Sequence, residues 1–255
     1  MKKYHHFFII FLSVFPLLLL LSCSDSSTNN SEPSKKTYFP TSVGSFWKYL
    51  QYEIDSLGVK VPNTEDTITS TIVSNQMILG KNASIFLSKS SKNQTTDTLI
   101  YAYENDKVYS FLSLFDNEFI PIGEGKQWIL LADFNSPQWT ILSDTTLDTL
   151  DFQDFAKMIP TISVKGKKGN KSDLAIKNKA VPSQEIILTI SFKIKMLLPN
   201  VPLPVNLNFD VVQHYWFGEG IGIVKERLDP FKFSVLVMEQ SFNGNQSDLI
   251  DYNIK

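Results

Sequence analysis

Apolar and polar residues alternate along most of the chain, with the period of two that is typical of half-buried β-strands. In the segment 186–195, Ile190, Phe192 and Ile194 fall on one face, and the serine and lysines between them fall on the other. Similar runs bounded by turn residues predict about ten to twelve strands in all. The other runs lie at 46–54, 64–74, 83–88, 95–103, 108–111, 127–131, 139–142, 161–165, 206–216, 221–226 and 231–242.

Helical patterns are scarce: only Leu112–Phe119 and Leu147–Met158 are candidates for short helices. Because no helix of about 10–15 residues separates consecutive strands, the pattern favours antiparallel pairing over βαβ units. A sheet this wide tends to curl or close, which limits its exposed edges. The sequence therefore predicts an all-β fold: a single antiparallel, strongly curved sheet, half-barrel or barrel, with at most short helices.

The beginning of the chain has the pattern of a signal peptide. Two lysines follow Met1, and the apolar run Phe7–Leu21 is too short for a comfortable transmembrane helix. The run ends in Leu-Leu-Ser-Cys at residues 20–23, which resembles the bacterial lipobox. The resemblance implies cleavage before Cys23, a diacylglycerol on its sulfur and a further acyl chain, such as palmitate, on the new amino terminus. Cys23 is therefore the predicted lipidation site.

Residues 24–36 contain no apolar residue except one proline, so they predict a flexible tether. The expected organisation is a lipoprotein signal peptide at 1–22, a lipidated tether at 23–36 and a single antiparallel β domain at 37–255. Beyond the leader, no stretch is long and apolar enough to cross a membrane. Ser24 after the lipidated cysteine is compatible with transfer to the outer membrane, with the periplasmic face and the cell surface both open.

Two short motifs lie near the ends of the predicted domain. The first, at 38–49, reads YFPxxxGxxWxY, and the second, at 220–225, reads GIGIVK. The first resembles the opening of a loose group of uncharacterised lipoproteins from Gram-negative bacteria, whose members often end with a GxGxVK strand. The resemblance implies an envelope location and a β-rich architecture, and it implies no reaction.

Composition excludes several classes. With 43% hydrophobic and 20% charged residues, the chain is too apolar to be disordered throughout. A formal net charge of −2 argues against a dedicated nucleic-acid binder. One cysteine excludes a disulfide framework and any Cys-rich zinc or iron–sulfur site.

Removal of the leader would leave His214 as the only histidine, so any histidine-based catalysis must use it. It lies inside a predicted strand, which favours a partly buried structural histidine. The chain has no Gly-x-Ser-x-Gly elbow. We therefore predict no catalytic residue, no cofactor and no metal site.

Three further segments are candidates for binding. The acidic cluster Asp144, Asp148, Asp151 and Asp154 has oxygen ligands for a cation but lacks the spacing of an EF-hand, so a solvated loop is favoured and cation binding stays open. The glycines at 218–222 predict a turn or bulge rather than a phosphate loop. A lysine-rich stretch, 165–179, predicts a solvated loop or hairpin, with contact to anionic lipid as the alternative.

Together these features predict a lipid-anchored envelope lipoprotein that acts as a non-catalytic binding or structural module. Its expected partners are the membrane, through the lipid anchor, and a hydrophobic ligand or an envelope protein, with no nucleic acid. One alternative is a carboxylate-dependent hydrolase acting on a polysaccharide or peptide. Another is an accessory subunit of an outer-membrane complex.

Overall fold

A computed structural model describes residues 37–112, 116–117, 120–121, 125–152, 156–199, 203–235 and 238–255. These residues contain strands, turns and connections and no helix, so the predicted all-β class is confirmed. Within the same ranges, no helix has the length and apolar composition needed to cross a membrane.

The described residues form seventeen strands. In chain order they are β1 (Phe46–Ile54), β2 (Asp66–Ile78), β3 (Lys81–Ser90), β4 (Thr96–Glu104), β5 (Lys107–Leu112), β6 (Asp116–Asn117), β7 (Ile120–Pro121), β8 (Gln127–Asp133), β9 (Gln138–Thr146), β10 (Leu150–Phe152), β11 (Ala156–Ile176), β12 (Lys179–Leu197), β13 (Val205–Gly218), β14 (Gly222–Leu228), β15 (Phe231–Val235), β16 (Met238–Phe242) and β17 (Gly244–Asn253).

Thirteen of these strands form one antiparallel sheet. Its order is β10-β11-β12-β13-β14-β17-β1-β2-β3-β4-β5-β8, and β9 pairs with the same β11. Most neighbours are consecutive in the chain, as expected for hairpins. The exceptions are β5 with β8, β9 with β11, and β17, which pairs with both β14 and β1 and so joins the last strand to the first.

The sheet curves until its two ends meet. One end is β8 and the other carries β9, and the indole Nε1 of Trp139 in β9 donates to the carbonyl oxygen of Leu130 in β8 at 3.3 Å. Trp139 lies so close to Gly166 in β11 that a Cβ there would overlap the indole ring. The strongly curved sheet expected from the alternation is therefore confirmed.

Side chains from strands across most of the sheet converge on the larger of two hydrophobic clusters. Trp47, Ile72, Phe86 and Phe217 are at most 5% exposed and belong to the same cluster. Phe39, from the segment before β1, enters this core, with its ring centroid 5.4 Å from that of Tyr101 and 6.0 Å from that of Phe86. The residues that precede the sheet thus help to fill its interior.

The structure differs from the expected elements in four places. The candidate helix at Leu147–Met158 is wrong, because its described residues are a connection followed by parts of β10 and β11. The run 231–242 is a hairpin, β15–β16, rather than one strand. The strand β17 has no counterpart among the predicted runs. The described residues of the other candidate helix, Leu112–Phe119, are strand residues as well, because Leu112 ends β5 and residues 116–117 form β6.

Two tight turns join neighbouring strands of the sheet, and the second lies in the lysine-rich stretch, where a loop or hairpin was predicted. Asn105 and Asp106, between β4 and β5, both have positive φ, which is the geometry of a two-residue hairpin turn. The lysine-rich stretch is a hairpin, in which Lys177 and Asn178 form the turn between β11 and β12. The register of β11 against β12 continues to Ile176 and Lys179 on either side of that turn.

Candidate functional site

The two motifs at the ends of the domain contact each other. The indole Nε1 of Trp47 donates to the carbonyl oxygen of Ile221 at 2.6 Å, and the hydroxyl of Tyr49 donates to that of Ile223 at 2.9 Å. Both bonds link β1 to the start of β14, across about 174 residues of chain. The aromatic residues of the opening motif are therefore held against the backbone of the closing motif.

The glycine-rich segment 218–222 is a turn, as predicted. Gly220 and Gly222 have φ of 74° and 99°, a region that favours glycine. A Cβ on Gly218 would lie 2.7 Å from Cγ1 of Val224, so this position also needs a small residue. The turn brings β14 back along β13 with a register shift next to Phe217.

A cavity of about 50 Å³ lies inside the sheet beside these two motifs. Its wall is mostly aromatic, with Leu99, which is 38% exposed, at the side that opens to solvent. The lining residues are Phe39, Trp47, Tyr49, Ser70, Phe86, Leu99, Tyr101, Gly222, Ile223 and Glu226.

Glu226 is the one charged residue in this lining. It lies opposite Tyr215 of β13 and Ser247 of β17 in the register of the sheet. Its neighbours Lys225 and Arg227 fall on the other face, where Lys225 Nζ lies 5.1 Å from the centre of the Trp216 ring. Strand alternation therefore turns both cations away from the glutamate.

The carboxyl of Glu226 has no hydrogen bond or ion pair within the described part of the chain. Its side chain is partly accessible through the cavity, yet apolar and aromatic groups surround it closely. Burial disfavours the charged form and raises the pKa of Glu226 from 4.5 to about 7. A carboxyl with this pKa changes its charge near neutral pH.

Three tyrosines surround this carboxyl. Burial, followed by the nearby charge of Glu226, raises the pKa values of Tyr49, Tyr101 and Tyr215 well above the ordinary range, so all three are neutral phenols. The Tyr49 hydroxyl is already committed to Ile223. The site thus combines one ionisable acid with neutral aromatic walls.

His214 lies on the outer face of the sheet, away from this cavity. Its Nδ1 is 2.8 Å from Oε1 of Glu185, and its Nε2 is 3.1 Å from Oδ2 of Asp229. Asp229 also accepts from Nε of Arg227 at 2.8 Å. Both ring nitrogens therefore face carboxylates, which leaves neither free to activate a nucleophile, and the partly buried strand histidine expected from the sequence is what the structure contains.

The structure describes the acidic cluster only in part. Asp144 pairs with Nζ of Lys193 at 2.9 Å, and Asp148 is exposed in the connection before β10. Asp151 lies in β10, whereas Asp154 lies outside the described residues. Across the ranges that the structure describes, no group of three or more acidic, histidine or cysteine residues is placed to hold a metal ion.

Two larger hollows lie on the surface. One, of about 380 Å³, is lined by residues that include Tyr38, Lys171 and Glu219, and the other, of about 610 Å³, by residues that include Trp139 and Lys165. Both hollows are open to solvent, so protein does not bound their volumes. In the second hollow, the indole of Trp139 already donates to Leu130 and joins the two ends of the sheet. Neither is as enclosed by protein as the inner cavity. The predicted lipidation site, Cys23, lies outside the described residues.

Glu226 was not singled out from the sequence, because it stands in the run Lys-Glu-Arg, which is typical of a solvated strand face. The spacing of Glu226 from nearby apolar residues could have indicated which face of the strand it lies on. However, Ile223 and Val224 point to opposite faces and both are buried. Alternation within β14 therefore does not say which face is inside. Its partners Tyr215 and Ser247 decide this, and they are known only from the sheet register.

No family model matches this chain, and no curated protein matches it. Among solved structures, the chain is similar to a candidate lipoprotein of Parabacteroides distasonis, with 8% identity, a TM-score of 0.46 and coverage of 86% of this chain and 99% of that one. It is also similar to an exported protein with a YmcC-like fold from Bacteroides fragilis, with 10% identity, a TM-score of 0.43 and the same coverage. Neither likeness is close enough to assign a family or a function.

Proposed function

We propose that the protein is a lipid-anchored lipoprotein of the outer membrane, whose β body is a non-catalytic binding module for a small molecule. The anchor is supported by the leader and by Cys23, at the position where the lipobox pattern needs it. Two or three acyl chains, each CH₂ contributing about 0.8 kcal/mol, would hold the body permanently at the membrane.

The observation that carries the binding proposal is a cavity with an unpartnered carboxyl inside an otherwise packed sheet. A carboxyl closely surrounded by apolar and aromatic groups is costly to ionise without a partner, and most such polar groups in proteins have one. A ligand that supplies this partner would recover the cost on binding. In this proposal the protein contributes the carboxyl and the aromatic walls of the site, and the ligand contributes the group that pairs with the carboxyl.

The cavity also limits the size of that ligand. Pockets for drug-sized ligands measure roughly 300–1,000 Å³, whereas this one measures about 50 Å³. An acyl chain inside the sheet is accordingly disfavoured, and we narrow the proposal from a hydrophobic ligand to a small molecule or to the head of a larger one. The tail of a larger ligand would leave the cavity past Leu99.

A carboxylate-dependent hydrolase is the less favoured alternative. Glycoside hydrolysis uses two carboxyl groups roughly 5–10 Å apart, one on each side of the bond to be cleaved. The lining of the cavity contributes Glu226 and no second acid. The outer pair, Glu185 and Asp229, is held by His214.

The anchor is tested by Cys23→Ser in the full chain, expressed in a Gram-negative host. We expect the unsubstituted protein to incorporate labelled palmitate and to enter the detergent phase, and the variant to lose the label and to leave the membrane fraction. If the variant stayed in the membrane at the mass of the unsubstituted protein, the proposed anchor would be refuted.

The binding function is tested with four probes of cavity size: methylammonium, methanol, acetamide and acetate. Saturation-transfer NMR on the full chain in mild detergent reports which of them bind, and Leu99→Trp, which narrows the opening, is the control. We expect at least one probe to bind saturably to the unsubstituted protein and to bind about tenfold more weakly to the variant. If no probe binds, or if the variant binds all of them equally, the cavity is not a binding site.

A further inference from the structure

We infer that the cavity binds the ammonium group of a small organic amine, with the carboxylate of Glu226 as its counterion. This inference rests on the proposed function and names the chemical class of its ligand. Three properties of the cavity support it: its charge, its walls and its size.

Charge is the first property. The two cations nearest to Glu226 in the chain lie on the outer face, where Arg227 donates to Asp229 and Lys225 lies 3.8 Å from Asp248. No described lysine, arginine or histidine forms an ion pair with Glu226. The lining of the cavity therefore holds one acid and no lysine, arginine or histidine, and a positively charged ligand would balance it.

The groups that face Glu226 from the surrounding strands do not replace a cation. These are the phenols Tyr49 of β1, Tyr101 of β4 and Tyr215 of β13, together with Ser247, its partner on β17. The phenols stay neutral at and above neutral pH because burial and the nearby Glu226 raise their pKa values. They supply aromatic rings and hydroxyl groups, so the positive charge that would balance Glu226 must come from a ligand.

The walls are the second property. The rings of Trp47 and Phe86 have centroids 5.4 Å apart, and the ring of Tyr101 meets that of Phe86 edge-on at the same distance. All three rings line the cavity. Aromatic faces around a carboxylate favour organic cations, because the ring quadrupole attracts positive charge while the ring edges exclude bulk water.

Size is the third property. About 10–15 Å³ of such volume holds one water molecule, so a cavity of about 50 Å³ has room for roughly three to five atoms other than hydrogen. A methylammonium head fits this range. A divalent metal ion fits the chemistry poorly, because calcium takes roughly six to eight oxygen ligands and the lining supplies one carboxylate.

Methylammonium and methanol test the inference, because they have nearly the same size and differ in charge. Dissociation constants are measured by saturation-transfer NMR on the full chain in mild detergent, at about pH 8 and about pH 5.5. Glu226→Gln removes the charge from the cavity. Glu239→Gln is the matched control, because Glu239 is an exposed acid paired with Lys232 on the small hairpin β15–β16.

We expect methylammonium to bind at least about tenfold more tightly than methanol at the higher pH. Its binding should weaken about tenfold at the lower pH, where Glu226 is protonated. Glu226→Gln should remove the preference for methylammonium, and Glu239→Gln should keep it.

Equal binding of methylammonium and methanol, or a preference that survives Glu226→Gln, would overturn the inference. If methanol or acetamide bound in the cavity and methylammonium did not, the inference of an ammonium ligand would be refuted, while the proposed binding function would stand. If the Leu99→Trp control showed that no probe uses the cavity, both proposals would be refuted together.

Discussion

Replacing Glu226 with glutamine should stabilise the protein above neutral pH. The substitution keeps the size and shape of the side chain and removes the charge that the unsubstituted protein places in the cavity. Its effect therefore isolates the cost of ionising this one carboxyl in the folded state.

The structure gives the size and sign of that effect. Burial raises the pKa of Glu226 from 4.5 in the unfolded chain to about 7 in the folded state. Below the first value the carboxyl is protonated in both states and contributes no pH dependence. Between the two values only the unfolded chain loses its proton, so stability falls as the pH rises. At about 1.4 kcal/mol per tenfold change, the full loss amounts to about 3 kcal/mol, and the partial access of solvent makes this an upper figure.

Urea denaturation followed by tryptophan fluorescence measures the difference between the two proteins at a series of pH values. We expect the variant and the unsubstituted protein to have similar midpoints near about pH 4.5 and to diverge as the pH rises, with the variant more stable by up to about 3 kcal/mol above about pH 7. Glu239→Gln should show no such divergence, because Glu239 is exposed.

A constant difference between the variant and the unsubstituted protein across this pH range would refute the reasoning, because it would mean that Glu226 titrates alike in both states. A variant that becomes less stable above neutral pH would refute it more strongly. That result would require a partner for the carboxylate that the described structure does not contain.

Three other substitutions test the packing around the cavity and the sheet. Trp47→Phe removes the donor to the Ile221 carbonyl and should lower the free energy of unfolding by about 1–3 kcal/mol, measured by urea denaturation. Gly218→Ala places a methyl group 2.7 Å from Val224 and should cost about 1–3 kcal/mol by thermal unfolding. Asp133→Asn should lower the free energy of unfolding at neutral pH and have little effect in acid. Burial raises the pKa of Asp133, but its hydrogen bonds outweigh burial and lower that pKa overall. The ionised carboxylate therefore stabilises the fold until acid protonates it. Unchanged midpoints in any of the three would contradict these contacts.

The period-two alternation was sufficient to predict the fold class, because most strands bury one face and expose the other. The segment 186–195 became the middle of β12, where Ile186 and Leu188 are buried and Lys193 and Lys195 are exposed. The hairpin turn at Asn105–Asp106 was also predictable, because two polar residues of turn-forming types lie between two alternating runs.

The last strand was not predictable on the same grounds. In β17, Leu249 is buried but most of the strand is polar and only partly buried, so the run has no clear apolar face. This strand is held by backbone pairing to β14 and β1 on its two sides. The pairing with β1 joins residues about 200 positions apart, such as Phe46 and Asn253, and leaves little trace in a local pattern.

The site was only partly predictable. Trp47 and Tyr49 stood out as a motif, and their hydrogen bonds to Ile221 and Ile223 explain why the two motifs go together in one fold. Glu226 did not stand out, because its charged neighbours resemble a solvent-facing strand. Its burial follows from the register between β13, β14 and β17, which is a property of the assembled sheet.

The most direct test of the account is an NMR titration of the side-chain carboxyl carbons in protein labelled at glutamate. The resonance that disappears in Glu226→Gln identifies the residue in the cavity. The account predicts that this resonance titrates with a midpoint near a pKa of about 7. A midpoint near the ordinary glutamate value of about 4.3 would contradict it, because the carboxyl would then be solvated or already paired within the protein.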